Sequence, residues 1–358
     1  MPDRAQPRPA RLAVVVNPTA DRGRGRGDGV RTLALLREAG HHVLDLSAPN
    51  APLALENARD AVASGMQVDA LVVVGGDGMV HLGVNAVAGT GIPLGVVAAG
   101  TGNDFAAALD LPVHDVPAAV GILLDALSAR RAGTGGVRVV AAPPAAPHDP
   151  PHPPRPRPPG GGRWFCGVLS AGLDAAVNAH ANALTWPRGS AKYVRAVASE
   201  LARFRPYGYR ITADLAPGTA PDMPDMPNMP DDVAHPFVWT SPGTLVAVAN
   251  GHRFGGGVQI APDARIDDGL LDLVTAGPLT RLGAARIFPG MYQGKHVHHP
   301  AVDLRKVTSV LLEATDAGRP PPPAFADGER ISHLPVRVTV VPGALHVLDG
   351  RVTGSPPA

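Results

Sequence analysis

The chain has 358 residues, of which 45% are hydrophobic and 18% charged, and its formal net charge is +1. This length suits two domains that each bury a core, and the composition excludes a chain that is disordered throughout. The near-neutral charge argues against nucleic acid as a partner, because such binding depends on a basic surface. The single cysteine, Cys166, excludes a disulfide framework and a thiolate-rich metal site.

Apolar runs in the sequence are too short to span a membrane, since none approaches about 18 consecutive apolar residues. The first residues also lack the apolar core of a secretory signal. From these two features we expect a cytoplasmic protein. The 42 glycines and 40 prolines exceed ordinary usage and predict low-complexity insertions.

The first third of the sequence alternates short apolar runs with amphipathic segments, a pattern typical of a parallel sheet covered by helices on both faces. Residues 17–29 are rich in turn formers and are expected to be a loop. The predicted strands are 12–16, 42–46, 69–74 and 93–98, and the predicted helices are 30–39, 52–64, 79–88, 104–109 and 117–127. We predict a doubly wound α/β domain over residues 11–134.

Beyond about residue 133 the pattern changes to short strands separated by turn residues, which is typical of an antiparallel β-sandwich. The predicted strands are 137–140, 164–169, 207–215, 244–249, 257–260, 270–275, 307–312, 336–341 and 345–348, and the predicted helices are 173–183, 190–204 and 280–291. Two low-complexity stretches, 141–162 and 216–235, are expected to be disordered insertions. We place a mostly β second domain at residues 135–331, followed by C-terminal strands at 332–352 that could return to the first domain.

A glycine-rich turn follows the most apolar predicted strand, in the sequence Gly75-Gly76-Asp77-Gly78-Met79. Glycines let a backbone approach a bulky anion, and the free N–H groups at a helix start favour negative charge. An Asp between them would repel a bare phosphate, which suggests a metal ion beside the phosphate. An ordinary strand-to-helix turn with Asp77 as a cap explains the spacing equally well.

A second glycine turn, Gly100-Thr101-Gly102-Asn103-Asp104, follows the next predicted strand. Its simplest alternative is a capping box formed by Thr101 and Asp104. Loops at the carboxyl ends of neighbouring parallel strands line one crevice, and Asn17-Pro18-Thr19 follows the first strand at the same edge. Three converging polar loops favour a nucleotide site. The sequence has no G-x-x-x-x-G-K-[ST] and no G-x-G-x-x-G after the first strand, which argues against a P-loop NTPase and a dinucleotide dehydrogenase.

Four motifs in order resemble those of the diacylglycerol kinase catalytic family, which includes bacterial soluble diacylglycerol kinases and related sphingosine kinases. The motifs are Gly75-Gly76-Asp77-Gly78, Gly100-Thr101-Gly102-Asn103-Asp104-Phe105, Asp267-Asp268-Gly269 and Asp327-Gly328-Glu329. The resemblance spans about residues 11–348 apart from the two insertions. It implies a kinase that uses ATP and Mg²⁺ to phosphorylate a lipid hydroxyl, with diacylglycerol converted to phosphatidic acid as the first expectation.

The resemblance also implies a role for each motif. The catalytic residues would be Glu329, as the general base for the lipid hydroxyl, and Asp77, near the Mg²⁺–phosphate. A structural Mg²⁺ would be held by Asp268 and by the carbonyl oxygens of Arg265 and Leu270. The residues assigned to ATP are Asn17, Pro18, Thr19, Gly75, Gly76, Gly78, Met79, Gly100, Thr101, Asn103 and Asp104.

Other interpretations stay open for these residues. On spacing alone, Asp327-Gly328 is typical of a two-residue hairpin turn, with Glu329 as a solvated strand residue. The family usually has Thr at the position of Met79 and commonly Asn-Glu at the positions of His81 and Leu82, so a catalytically weakened lipid- or nucleotide-binding protein is one alternative. An NAD kinase-like enzyme, which shares the glycine–Asp–glycine turn, is another.

A lipid acceptor implies transient, peripheral contact with a membrane surface. The region around predicted helix 190–204 combines apolar residues with cations, which favours such contact. These cations are Arg188, Lys192, Arg195, Arg203 and Arg205. No nucleic-acid partner is expected, and a homodimer is left open.

Overall fold

The computed structural model describes residues 8–17, 24–64, 67–147, 162–186, 190–217 and 236–352. These residues form two units. One unit takes the described residues up to Ala142 and from Gly343 onward, and the other takes those from Pro143 to Pro342. Each unit has its own sheet.

The first unit contains six strands and five helices. They are β1 (Arg11–Val16), α1 (Arg24–Glu38), β2 (His42–Asp45), α2 (Ala51–Ala63), β3 (Ala70–Gly75), α3 (Asp77–Val87), β4 (Leu94–Ala98), α4 (Asp104–Ala108), α5 (Val116–Ala132), β5 (Gly135–Val140) and β17 (Leu345–Val352). The sheet order is β2-β1-β3-β4-β17-β5. All neighbours are parallel except β17 and β5, which are antiparallel.

Burial of the central strands explains their sequence. All six residues of β3 and all five of β4 are buried, because helices cover both faces of a parallel sheet. The same geometry places the carboxyl ends of β1, β3 and β4 at one edge, and the loops that follow these strands are the three predicted nucleotide loops.

Local signals fix several helix ends. Asn50 caps α2 by accepting a hydrogen bond from the N–H of Leu53 at 3.0 Å, and Asp115 caps α5 in the same way. Gly133 ends α5 in the left-handed conformation, with φ of 71°.

The helix α1 begins at Arg24, so part of the predicted loop 17–29 is wrong. Buried Leu33 and Leu36 pack α1 against the sheet, and this packing outweighs the low helix propensity of its glycines.

The second unit is built on antiparallel strands. Its elements are β6 (Pro144–Pro147), β7 (Arg163–Trp164), β8 (Val168–Ser170), α6 (Leu173–Ala183), α7 (Ser190–Arg203), β9 (Tyr207–Leu215), β10 (Phe237–Gly243), β11 (Leu245–Ala249), β12 (Leu271–Ala276), α8 (Arg281–Met291), a 3-10 helix (Lys295–His298), β13 (Val302–Ala314), β14 (Phe325–Ala326), β15 (Glu329–Arg330) and β16 (Val336–Thr339). The described strands form one eleven-stranded sheet. It branches at β13, which pairs with β12, β16 and β9.

The predicted fold class is confirmed: a parallel α/β sheet in the first unit and an antiparallel sheet in the second. The unit boundaries follow strand pairing rather than the predicted limits. Residues 135–142 stay with the first unit because β5 pairs with β17, and β17 does return to the first sheet. By contrast, β16 lies in the second sheet because it pairs with β13.

Four details of the second unit differ from the sequence expectations. The predicted strand 164–169 is two strands, because residues 165–167 leave the sheet to bind another loop. Residues 257–260 form a turn with a single bridge at Val258 instead of a strand. The first insertion, 141–162, contains β6, which pairs with β16, and its residues 148–161 lie outside the described residues. The strand β10 was not predicted, since it immediately follows the second insertion.

The second insertion, 216–235, has Ala216 and Pro217 among the described residues, and the remainder lies outside them. Among the described residues, no helix combines the length and the hydropathy needed to cross a membrane.

Candidate active site

The turn after β3 leads directly into α3. The strand ends at Gly75, Gly76 is the N-cap residue, and α3 starts at Asp77. No side chain caps the first turn of α3, and a Cβ built on Gly78 would meet no atom within 4 Å. The N–H groups of Asp77 and Met79 donate to the carbonyl oxygens of Gly102 and Gly76. The Gly78 N–H, beside the open space, is therefore the donor of the first turn that can bind an anion.

The turn after β4 packs directly on the turn after β3. A Cβ on Gly76 would lie 2.5 Å from the carbonyl oxygen of Gly102, and one on Gly100 would lie 2.2 Å from the Cα of Gly76. The N–H of Asp77 donates to the Gly102 carbonyl at 3.1 Å. Because two backbones touch here, only glycine fits at Gly76 and Gly100.

The carboxylate of Asp77 joins the two turns. Its Oδ2 accepts a hydrogen bond from the N–H of Asp104 and its Oδ1 one from the N–H of Phe105, both at 3.2 Å. These N–H groups belong to the first turn of α4, so Asp77 caps α4 rather than its own helix. The predicted role of Asp77 beside a Mg²⁺–phosphate stays a prediction.

The side chain of Asn103 shapes the second turn. Its Oδ1 accepts from the N–H of Gly100 at 3.1 Å, and its Nδ2 donates to the Gly100 carbonyl at 2.7 Å. Asn103 is also the N-cap residue of α4. The alternative of a capping box that starts at Thr101 is therefore wrong. Thr101 lies two residues before this cap and is exposed.

The third predicted loop starts at Asn17, after β1. The N–H of Asn17 donates to the Val74 carbonyl at 3.1 Å, which holds Asn17 beside the end of β3. A Cβ on Gly75 would lie 3.4 Å from the Cβ of Asn17. The structure thus brings Asn17 to the same edge as the two glycine turns. Pro18 and Thr19 lie outside the described residues.

In the second unit, Glu329 follows a tight hairpin between β14 and β15. The two turn residues, Asp327 and Gly328, have φ values of 50° and 84°, which is typical of the turn that matches strand twist. The predicted two-residue hairpin is confirmed. Glu329 is the first residue of β15, and its side chain is exposed.

The carboxylate of Asp327 fixes this hairpin to residues 165–167. Its Oδ2 accepts from the N–H of Cys166 at 3.0 Å and its Oδ1 from the N–H of Gly167 at 2.9 Å. From the other side, the Nδ2 of Asn178 on α6 donates to the carbonyl oxygen of Gly328 at 3.1 Å. The backbone on both sides of the turn is therefore held, and Glu329 projects from a fixed position.

A cavity of about 420 Å³ lies beside the Glu329 hairpin. Its lining residues come from α6, from the strand β14 and its approach, and from β15 and the segment after it. They are Ala179, Asn182, Pro323, Phe325, Gly328, Glu329, Arg330 and His333. The lining combines apolar groups with a carboxylate and with Arg330, whose Nη2 lies 3.1 Å from the Nε2 of His333. This cavity is open toward solvent rather than enclosed.

The comparisons with known proteins agree with the order of motifs. A family model of the diacylglycerol kinase catalytic domain matches residues 11–133, and a model described as the YegS C-terminal NAD kinase beta sandwich-like domain matches residues 167–349. A diacylglycerol kinase of Mycobacterium tuberculosis (strain CDC 1551 / Oshkosh) is 31% identical over 346 residues, covering 95% of this chain and 96% of that protein. The chain belongs to the diacylglycerol kinase family.

A crystal structure of a diacylglycerol kinase from Bacillus anthracis str. Sterne matches the fold of this member of the family. The TM-score is 0.60, and the match covers 95% of this chain and 96% of the other. The sequence identity is 17%, so this likeness shows the fold alone. The resemblance inferred from the motifs is confirmed, and the chain is a kinase-family protein.

The departures from the family motif all lie inside the first unit. Met79, His81 and Leu82 are buried on α3. The side chain of Met79 packs beside Gly75, where a Cβ would lie 2.6 Å from the Met79 Cγ. These side chains therefore fill the space around the turn, whereas the Gly78 N–H at the start of α3 is a backbone group that the departures at Met79, His81 and Leu82 leave in place.

The loop that resembles the family's magnesium loop contains a lysine that pairs with two aspartates. The Oδ1 of Asp268 accepts from the N–H of Leu270 at 2.9 Å, and its Oδ2 accepts from the Nζ of Lys306 at 2.9 Å. Lys306 also donates to the Oδ2 of Asp272, its cross-strand partner, at 3.0 Å. Each oxygen of Asp268 thus accepts one hydrogen bond from the protein, and a single ammonium is shared by two carboxylates. Lys306 would compete with a metal ion here, and the Mg²⁺ role of Asp268, Arg265 and Leu270 stays a prediction.

This ammonium is held in its charged form. Burial acts to lower the pKa of Lys306, but hydrogen bonds to Asp268 and Asp272 outweigh it, so the pKa is raised. Burial raises the pKa of Asp272, and the hydrogen bond from Lys306 opposes that effect. The described residues contain no group of three or more His, Cys, Asp or Glu side chains that could hold a metal ion. The predicted carbonyl ligands, Arg265 and Leu270, lie in the same loop, where Arg265 pairs with Asp267.

The sequence analysis missed the contribution of α6. Asn178 holds the Glu329 hairpin, Asn182 lines the cavity, and Asp174 lies near the start of the helix. The Oδ1 of Asp174 accepts from the N–H of Gly172 at 3.2 Å. Its Oδ2 is buried and has no hydrogen-bond partner among the described atoms. The available signal was the spacing of Asp174, Asn178 and Asn182, which lie four residues apart on one face of an otherwise mostly apolar helix.

Burial has a clear consequence for Asp174. Desolvation raises the pKa of its carboxyl from the ordinary value of 3.8 to about 6, against the opposing hydrogen bonds from Ala175, Ser170 and Gly172. The folded protein therefore binds this proton at a higher pH than the unfolded chain does. Above about pH 6 the ionised, buried carboxylate costs stability, and below the ordinary pKa that cost disappears.

We expect Gly100→Ala to destabilise the first unit, because its new Cβ would overlap the backbone of Gly76 at 2.2 Å. Overpacking against a backbone costs about 1–3 kcal/mol or more. Thermal unfolding would show a lower melting temperature. Gly78→Ala is the matched control, since the space around Gly78 is open. Equal melting temperatures for the two variants would contradict the backbone contact.

Lys306→Met should lower the melting temperature, because it leaves Asp272 buried without its cationic partner. The cost is about 1–3 kcal/mol, since the lysine is partly exposed. Lys295→Met, at an exposed lysine, is the control and should unfold like the wild type. If added Mg²⁺ raised the wild-type melting temperature without nucleotide, and Asp268→Asn abolished that rise, the assignment of Lys306 as the internal cation would be wrong.

Asp174→Asn should stabilise the protein only at neutral pH. The variant should have nearly the same free energy of unfolding as the wild type below pH 3.8. Above the pKa of about 6 it should be more stable than the wild type by about 3 kcal/mol. Chemical denaturation across this pH range measures the difference, and Asp316→Asn, at an exposed carboxylate, is the control. A stability difference that does not change with pH would show that Asp174 is not desolvated.

Proposed function

We propose that this chain is an ATP-dependent lipid kinase that transfers the γ-phosphate to the hydroxyl of diacylglycerol and so forms phosphatidic acid. The observation that carries the proposal is the pair of touching glycine turns beside the uncapped start of α3. Membership in the diacylglycerol kinase family supports a kinase. The identity of the acceptor and the use of ATP belong to the proposal.

In the first unit, the backbone would bind the phosphates. The Gly78 N–H and the partial positive charge of the helix start favour an anion, and the missing side chain at Gly78 leaves room for it. Asn17 lies at the same edge as the two glycine turns and would contact the nucleotide. ATP would bind as its Mg²⁺ complex, in which the metal neutralises phosphate charge.

In the second unit, Glu329 would act as the general base. As the acceptor hydroxyl oxygen forms its bond to the γ-phosphorus, the Glu329 carboxylate accepts the hydroxyl proton, and the bond to the bridging oxygen of ADP breaks. Phosphoryl transfer needs few other side chains in this scheme. The rate would therefore depend mainly on where the Glu329 carboxylate is held. Asp327 and Asn178 would maintain that position through the turn they hold.

The cavity beside the hairpin would take the polar end of the acceptor. Asn182, Arg330 and His333 provide hydrogen-bond donors at its wall, and Phe325 provides an apolar surface. This combination suits a lipid whose hydroxyl is next to ester groups and apolar chains. We propose that the protein works in the cytoplasm and meets this substrate at a membrane surface.

An acceptor screen tests the function. Labelled ATP is offered with diacylglycerol, sphingosine and NAD in parallel, and we expect labelled phosphatidic acid. Labelled NADP would instead support an NAD kinase-like enzyme. Nucleotide binding without any labelled product would support a catalytically weakened binding protein.

Glu329→Gln should reduce turnover about 10²–10⁴-fold, because the amide cannot accept the hydroxyl proton. The side chain is exposed, so the variant should fold and should bind ATP like the wild type. Phosphatidic acid formation and nucleotide binding are measured on the same preparation. Glu313→Gln, another carboxylate of the second unit, is the matched control. Turnover close to that of the control would remove Glu329 from the mechanism.

A further inference from the structure

The cavity beside the Glu329 hairpin has an arginine in its wall that no acid neutralises. Arg330 lines this cavity, and among the described residues its guanidinium forms no ion pair with an Asp or a Glu. Three other arginines of the second unit do have an acidic partner: Arg210 with Glu313, Arg265 with Asp267 and Arg305 with Asp303. Arg330 therefore presents an uncompensated positive charge to the cavity.

The backbone at Arg330 is held from several sides. In β15, Arg330 pairs with Phe325 of β14. Its carbonyl oxygen accepts a hydrogen bond from the Nη1 of Arg163 at 3.0 Å. The N–H of the next residue, Ile331, donates to the carbonyl oxygen of Ala324 at 2.9 Å. The Arg330 side chain thus starts from a fixed position, and Arg163 brings a second guanidinium close to it.

The side chain of His333 orients the guanidinium of Arg330. The Nη2 of Arg330 lies 3.1 Å from the Nε2 of His333. A guanidinium has only donors, so the Nε2 accepts this hydrogen bond and the imidazole carries its proton on Nδ1. Among the described residues this is the one hydrogen bond that the guanidinium makes. Its other N–H groups can therefore bind a ligand.

Glu329 and Arg330 are neighbours in the sequence, but within the described part of the chain they do not form an ion pair. Successive residues of a strand point to opposite faces, and the cross-strand partners of these two are Ala326 and Phe325. Both residues nevertheless line the same open cavity. The cavity therefore offers a carboxylate to a proton donor and, at another part of its wall, a cation to an anion.

We propose that Arg330, oriented by His333, binds the phosphate group of a lipid in this cavity. The planar guanidinium matches two phosphate oxygens at once. In the proposed reaction, the acceptor oxygen that gives its proton to Glu329 becomes bonded to phosphorus, so the product phosphate forms beside Glu329. A cation in the same cavity offsets the repulsion between this phosphate and the Glu329 carboxylate. The inference rests on the proposed function.

Equilibrium binding of short-chain, water-soluble lipids tests the proposal without any phosphotransfer. Titration calorimetry should show that the wild type binds phosphatidic acid more tightly than diacylglycerol of the same chain length. Arg330→Gln should weaken phosphatidic acid binding about tenfold or more, because charge-assisted hydrogen bonds are lost. Diacylglycerol binding should be unchanged. Arg210→Gln, at an exposed arginine beside Glu313, is the matched control.

Variants of His333 test its positioning role. His333→Leu removes the acceptor for Arg330 and should weaken phosphatidic acid binding about fivefold. His333→Gln keeps an acceptor oxygen and should bind phosphatidic acid nearly as the wild type does. Equal losses in both variants, extending to diacylglycerol, would contradict the positioning role.

A phosphodiester in the headgroup of the acceptor has the same chemistry as the product phosphate. Short-chain phosphatidylglycerol distinguishes these sources, because weaker binding of this lipid alone by Arg330→Gln would assign the subsite to the headgroup. Binding of phosphatidic acid that depends on Arg330, in a chain that phosphorylates no diacylglycerol, would support the subsite and contradict only the proposed function. Equal affinities of the wild type and Arg330→Gln for both phospholipids would overturn the proposal.

Discussion

Two turns of the first unit touch backbone to backbone, and the edge of the parallel sheet is organised around that contact. Neither Gly76 nor Gly100 has space for a Cβ, so the turns after β3 and β4 form one continuous surface. The contact also brings the Asp77 carboxylate to the start of α4, which it caps. The uncapped start of α3 is presented at this edge because β3 ends there. A phosphate site made of main-chain groups needs this fixed backbone more than it needs any side chain.

Asp77 in the first unit and Asp327 in the second play the same structural role. Asp77 accepts hydrogen bonds from two consecutive N–H groups, and Asp327 accepts from those of Cys166 and Gly167. Each carboxylate thereby fixes a neighbouring loop beside a glycine turn. Glu329 differs, because it is exposed at the cavity wall. Of the two carboxylates in this motif, Asp327 is therefore used for structure, and Glu329 is exposed beside the cavity.

The sequence predicted the elements whose signal is local and continuous. The buried strand β3, the helix α6 and the strand β9 were located closely, since each has a clear apolar period and turn residues at its ends. Contacts between distant segments could not be predicted. The break at residues 165–167 exists because Asp327 binds two N–H groups 160 and 161 positions earlier in the chain. For the same reason the pairing of Lys306 with Asp268, which competes with the predicted metal, was not visible in the motif itself.

The substitutions at Met79, His81 and Leu82 do not by themselves imply a silent enzyme. All three side chains are buried on α3, and Met79 packs beside Gly75, so they determine how the helix packs on the sheet. Anion binding at a helix start depends on N–H groups whose direction is set by the helix axis. Changing a buried side chain alters that direction only if it moves the helix, and the packed surroundings resist such movement. If the chain binds a nucleotide as proposed, the loss of a hydroxyl and a carboxylate would remove side-chain contacts while leaving the main-chain donor in place.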